Sequence, residues 1–236
     1  MKKTALILTG AMLCSICAAD TEVFNLGTPG MPVTSLKDER LQNVLDLNPD
    51  LTVLLIGTND MINSAVLTPL PEFEENYNRV VRSLLDSGSS VIAITIPPCN
   101  EKLLYIRHQP EKFGSMSPNA RIIEANKIIK NTAEKNKLPL VDFYAEVMKQ
   151  GTSGKNSLIR NPDNLGGVDG VHPTPEGYRK LAEMVFRAIK TNKIDARRIV
   201  CLGDSITYGV SVNGAGTASG DTYPGQLQLL LNGTSK

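Results

Sequence analysis

Tryptophan is absent from the 236 residues, and 6 tyrosines with 5 phenylalanines bring the aromatic share to only 5%. A chain so poor in flat rings has little with which to stack bases or line a long sugar platform. An excess of charge of either sign is missing too. The 25 Lys and Arg nearly balance the 24 Asp and Glu, and no basic stripe stands ready to track a phosphate backbone, which argues against a nucleic-acid partner. The most lysine-rich stretch, 127–137, mixes its lysines with Glu134 and polar residues, as a solvated helix face does. Histidine is almost missing, with only His108 and His172. What remains, 41% hydrophobic and 21% charged residues, is the composition of an ordinary globular domain with ample core.

The N-terminus is different in kind. Lys2 and Lys3 precede an apolar stretch, 5–19, that ends in the small-x-small pattern Cys17-Ala18-Ala19. This is the pattern of a secretory signal peptide, residues 1–19, and it is shorter than the roughly 20 apolar residues of a membrane span. The expected mature protein is therefore one domain, 20–236, exported to the periplasm or the extracellular space, with no stable membrane insertion once the signal is removed. Its formal charge changes from +1 to −1 with the loss of Lys2 and Lys3. Cys14 and Cys17 leave as well, so no CxxC remains, and HExxH is absent; neither pattern indicates a metal site. Cys99 and Cys201 each lie in or beside an apolar run, which points to two separate buried thiols.

The mature sequence alternates short apolar runs with amphipathic ones. Strands are expected at 21–25, 51–56, 91–96, 138–141 and 199–202. Helices are expected after Ser35, from Pro71 to a stop at Gly88, after Ser117-Pro118, up to about Lys149, from Pro175 to about Ile189, and over 223–231. Strands apolar on both faces, alternating with helices, imply an α/β three-layer sandwich around a central, mostly five-stranded parallel sheet. Sites in such folds gather beyond the C-terminal ends of the strands.

Four segments fall at or near such ends. Gly203-Asp204-Ser205-Ile206 follows the strand 199–202, where a sharp turn exposes a serine hydroxyl. Asp169-Gly170-Val171-His172 offers a base for that hydroxyl and a carboxylate within reach of the imidazole Nδ1. With two histidines in the chain, the choice of base is nearly forced. Gly57-Thr58-Asn59-Asp60 follows the strand 51–56, and its Asn side chain can donate to a developing oxyanion. Asn25-Leu26-Gly27-Thr28-Pro29-Gly30 follows the first strand and offers a glycine N–H. Each alone also fits an ordinary turn; together they supply nucleophile, base, orienter and oxyanion donors, the parts that acyl transfer requires.

These segments resemble the four signature blocks of the SGNH, or GDSL, hydrolase family, across essentially the whole mature chain. The resemblance implies the flavodoxin-like fold of that family, Ser205 as nucleophile, His172 as base and Asp169 as its orienter. It implies an oxyanion hole made by the backbone N–H of Ser205, the N–H of Gly30 in preference to Gly27, and the side-chain amide of Asn59. No cofactor or metal is required. The block order departs from the family's: the serine block comes last here. Tyr223-Pro224 and 227–231 resemble the helix that normally follows that block, so the resemblance implies a circular permutation. It predicts that strand 199–202 lies inside the sheet, that Ser205 lies beside His172, and that Asp20 and Lys236 are neighbours.

Within that family the substrate class is open among carbohydrate O-acetyl esters, lysophospholipids, thioesters and aryl esters. An exported, nearly neutral chain fits short-chain deacylation of carbohydrate best. The polar segment 97–116, with Tyr105, Arg107 and His108, is a candidate pocket wall and does not resemble a greasy acyl groove. The alternative from another class is a non-catalytic carbohydrate-binding protein of the same fold.

Overall fold

The computed structural model describes residues 21–233. The expected signal peptide, together with Asp20 and Lys236, lies outside the described residues. The chain runs β1 (Glu22–Gly27), α1 (Asp38–Leu45), β2 (Leu51–Leu55), α2 (Thr58–Ile62), α3 (Leu70–Asp86), β3 (Ser90–Ile94), α4 (Glu101–Leu104), α5 (Pro118–Lys135), β4 (Leu140–Val141), α6 (Phe143–Met148), α7 (Pro162–Leu165), α8 (Pro175–Thr191), β5 (Arg198–Gly203), α9 (Ser205–Tyr208) and α10 (Tyr223–Leu231). The five strands form one parallel sheet in the order β1-β5-β2-β3-β4. This is the α/β layering expected from strands that are apolar on both faces, and the last strand in sequence lies inside the sheet.

The two-residue period of the strands divides the core. Leu54, Val200 and Leu202 enter the layer that holds the Val80, Leu84, Ile122 and Ile129 side chains of α3 and α5. Leu51, Val53, Leu55, Ile199 and Cys201 face the other way, against Tyr178, Leu181 and Val185 of α8 and Leu227 of α10. The long helices begin where their caps allow. Ser117 Oγ accepts from the Ala120 N–H, Thr174 Oγ1 from Gly177, and Thr222 Oγ1 from Gly225, each followed by proline at the first helical turn. Cys99 and Cys201 are both buried and unpaired; burial pushes each thiol up to about 12, so neither is a ready nucleophile.

One local expectation fails. Ser35 caps nothing. Val33–Ser35 form a short 3-10 turn, and α1 starts later, with Lys37 at its N-cap position. The cause is tertiary, because the Val33 N–H is held by the Asp60 carboxylate at 2.9 and 3.1 Å. The segment after β2, which by itself also fits a turn, is the five-residue helix α2 with every residue buried.

β1 is an edge strand, and α10 covers its open side. Gln228 accepts from the Val23 N–H at 2.7 Å and donates to the Thr21 carbonyl at 2.5 Å. Asn232 both accepts from Thr21 N and donates to Thr21 O, each at 3.1 Å. Side-chain amides thus take the backbone groups that a further strand would claim. Replacing Gln228 and Asn232 together with alanine should lower the unfolding free energy by about 1–3 kcal/mol, read by chemical denaturation, because Val23 N–H is left buried without an acceptor.

Candidate active site

Three loops at the C-terminal ends of β1, β2 and β5 meet the loop that precedes α8. Ser205 is the first residue of α9, directly after β5. The turn is tight because Gly203 permits it: a Cβ there would lie 2.0 Å from the Leu55 carbonyl oxygen. Asp204 is fully buried and accepts from the Ile206 N–H at 2.9 Å, which fixes the start of α9. Burial holds its carboxyl above the usual range.

Asp169 organises the opposite loop. Its Oδ1 accepts from the backbone N–H groups of Val171 and His172 at 2.9 and 3.0 Å. Its Oδ2 meets His172 Nδ1 at 2.9 Å, and His172 Nε2 lies 3.0 Å from Ser205 Oγ. Gly170, at φ +77°, allows the reversal, and a Cβ there would strike Leu103 and Asn100. The loop is further pinned by Arg160 N–H to His172 O and by Asn100 N–H to Gly170 O. A carboxylate at Nδ1 places the ring proton there, so Nε2 is an acceptor aimed at the serine hydroxyl.

Burial pushes the Asp169 carboxyl up, but the hydrogen bond and charge of His172, with the two backbone N–H donors, outweigh it and bring it from 3.8 to about 2. A depressed carboxyl stabilises the fold above its unfolded value and loses that contribution as pH falls through its folded value. The stability difference between the wild type and Asp169→Asn should therefore shrink by about 2 kcal/mol from pH 5 to pH 2, measured by denaturant titration across that window.

The expected oxyanion donors share this cleft. Gly30 and Asn59 line it with Ser205 and His172. Gly27 does not: it packs on the backbone of Tyr208, 2.0 Å from where its Cβ would be, and its N–H is taken by Asn25 Oδ1. Among the described residues, neither Gly30 N–H nor Ser205 N–H meets an acceptor. Asn59 is oriented from both ends of its amide, with Oδ1 accepting from Asn63 at 3.2 Å and Nδ2 donating to Met31 O at 3.3 Å. The second Nδ2 hydrogen is left for a ligand. Asp60, one residue on, braces the two arms by holding Val33 N–H and the Thr68 hydroxyl, the latter at 2.7 Å.

Residues 9–180 match the GDSL-like lipase/acylhydrolase family. The chain belongs to that family. The match stops before β5 and Ser205. A curated acetylxylan esterase from Xylanibacter ruminicola is 23% identical over 158 residues, covering 63% of this chain and 30% of that protein, so the chain spans under a third of that relative's length. Among solved structures, a GDSL-like lipase from Bacteroides thetaiotaomicron superposes with a TM-score of 0.54 at 24% identity, over 69% of this chain and 73% of that one. An acetyl xylan esterase, AlAXEase, gives 0.51 at 27%, over 68% and 77%. The acetylxylan esterase Axe2 from Geobacillus stearothermophilus gives 0.51 at 24%, over 68% of each chain.

In this GDSL-family chain the cleft encloses about 320 Å³. Ile62, Leu104, Val171 and Val210 supply its apolar wall, and Asn63, Arg107 and His108 its polar one. Arg107 donates to the Val168 carbonyl at 3.4 Å and stands 3.9 Å from Asp169 Oδ1. Segment 97–116 thus contributes Leu104, Arg107 and His108 to the cleft, while Tyr105 packs on Phe113. Asn63, Ser64 and the bracing role of Asp60 were not read from the sequence. Asp60 and Ser64 carry no signal of spacing, because their partners Val33 and His108 are 27 and 44 residues away, and the four-residue spacing of Asn59 and Asn63 has meaning only once α2 is a helix. Among the described residues, no cluster of His, Cys, Asp or Glu could hold a metal ion, and no helix is long and apolar enough to cross a membrane.

Proposed function

We propose that this chain is an exported serine esterase that removes short acyl groups, O-acetyl above all, from carbohydrate through an acyl-serine intermediate. The observation that carries the reading is the unbroken relay from Asp169 to His172 to Ser205, with steps of 2.9 and 3.0 Å, at the floor of a small cleft. Ser205 Oγ attacks the ester carbonyl while His172 Nε2 takes its proton, and Asp169 stabilises the resulting imidazolium. The carbonyl oxygen, now an oxyanion, is received by the N–H groups of Ser205 and Gly30 and the Asn59 amide. His172 then protonates the leaving alcohol. Water, activated by the same base, attacks the acyl-serine and regenerates the hydroxyl.

Two supports favour acetylated carbohydrate as the substrate. The cleft, of about 320 Å³, suits a short acyl group, and its side at Arg107 and His108 is polar, which suits an alcohol that carries hydroxyls. Two of the structural relatives and the curated one are acetylxylan esterases. The reading of a non-catalytic binder has no observation in its favour beside an intact relay. The export part of the proposal rests on the pattern of residues 1–19 alone.

The same reading includes a circular permutation of the family's block order. It is supported by a family match that ends at residue 180, by β5 inserted between β1 and β2, and by Thr21 bonded to Asn232. On a series of 4-nitrophenyl esters, kcat/KM should fall about tenfold or more from acetate to octanoate. A rise with chain length would favour the lysophospholipase or thioesterase alternative instead.

A further inference from the structure

The two histidines face one cleft with opposite tautomers. His172 Nδ1 meets a carboxylate, so its proton is on Nδ1 and Nε2 accepts. At His108 it is Nδ1 that is approached by donors, the Ser64 backbone N–H at 3.3 Å and the Ser64 hydroxyl at 2.9 Å. A backbone N–H can only donate, so Nδ1 holds a lone pair and the proton of the neutral ring is on Nε2. Burial, then the adjacent Arg107 cation, lower the His108 pKa below 6.5, which keeps the ring neutral. Among the described residues, His108 Nε2 meets no acceptor.

A bound acetyl ester gives such a donor few choices. The acyl part is a methyl group with nothing to accept. The carbonyl oxygen belongs to the oxyanion donors, and the bridging oxygen takes its proton from His172. The remaining acceptors are on the alcohol, and a phenyl or alkyl alcohol has none, whereas a sugar has several. Extending the esterase reading, on which it rests, we propose that His108 is a substrate-positioning residue whose Nε2–H binds a hydroxyl or ring oxygen of the sugar beside the scissile ester.

The test compares phenyl acetate with a singly acetylated xylotriose. In His108→Leu the ratio of kcat/KM for the xylotriose ester to that for phenyl acetate should fall about tenfold, mainly through KM, and His108→Gln, which keeps an N–H donor, should restore it to within about threefold. Ser64→Ala, which removes the hydroxyl but keeps the backbone N–H that fixes the tautomer, should leave the ratio within about threefold of the wild type. An unchanged ratio in His108→Leu, or an equal loss on both esters with no rescue by glutamine, overturns the proposal. Calorimetry in a Ser205→Ala background reads binding without turnover: His108→Leu should weaken acetylated xylotriose about tenfold. An unchanged Kd there overturns the inference, whereas a wild type inert towards phenyl acetate overturns the esterase reading instead.

Discussion

Ser205→Ala is expected to lower kcat on phenyl acetate by about 10⁴-fold or more while leaving the fold intact. In the proposed mechanism this hydroxyl forms the acyl-enzyme, and no second serine stands within hydrogen-bond distance of His172 Nε2 among the described residues. Among the described residues the Ser205 hydroxyl makes no other hydrogen bond, so its loss should change the unfolding free energy by less than about 1 kcal/mol. A folded variant that retains activity would place the chemistry elsewhere. The more informative control is Gly203→Ala, which keeps every reacting group but drives a methyl into the Leu55 carbonyl and the Thr207 hydroxyl, so it should lose stability along with activity.

The second large effect is expected at Asn59. Asn59→Ala should lower kcat about 10²–10³-fold with little change in KM. The separation follows from the proposed role: an amide that donates to the oxyanion meets the carbonyl oxygen most strongly once it carries negative charge, so the loss falls on the transition state. Asn59 is pre-aligned by Asn63 and by the Met31 carbonyl, and therefore spends little reorganisation at the moment of reaction. An increase in KM at unchanged kcat would mean instead that Asn59 only binds substrate.

The sequence carried the sheet and the relay for different reasons. β2, β3 and β5 are continuous apolar runs, and α3, α5 and α8 combine a 3.6-residue apolar period with proline at the first turn, so local pattern and tertiary burial agree. The Asp169–His172 pair is legible because one turn of chain is enough to close it. α2 is not legible because five buried residues are too few to show a period, and α1 is displaced from Ser35 by the Asp60 carboxylate, which holds Val33 from 27 residues away. The orientation of Asn59 and the tautomer of His108 depend on partners supplied by neighbouring loops. Such details exist only once the sheet has brought those loops together.

The block order gives these residues a physical context. Because β5 lies inside the sheet, the strand that leads to Ser205 is held by hydrogen bonds to both β1 and β2, although it arrives last in the chain. The amides of Gln228 and Asn232 then fasten the following helix to the strand that opens the described chain. Precision at the site thus depends on the sheet's spatial order and not on the order of its strands in sequence.

The relay itself is tested most directly by covalent capture. Incubation with a fluorophosphonate, followed by peptide mapping by mass spectrometry, should place a single adduct on Ser205, and His172→Ala should slow its formation by orders of magnitude. An adduct on another residue, or labelling of Ser205 at the same rate without His172, would contradict the assignment of Ser205 as a nucleophile activated by His172.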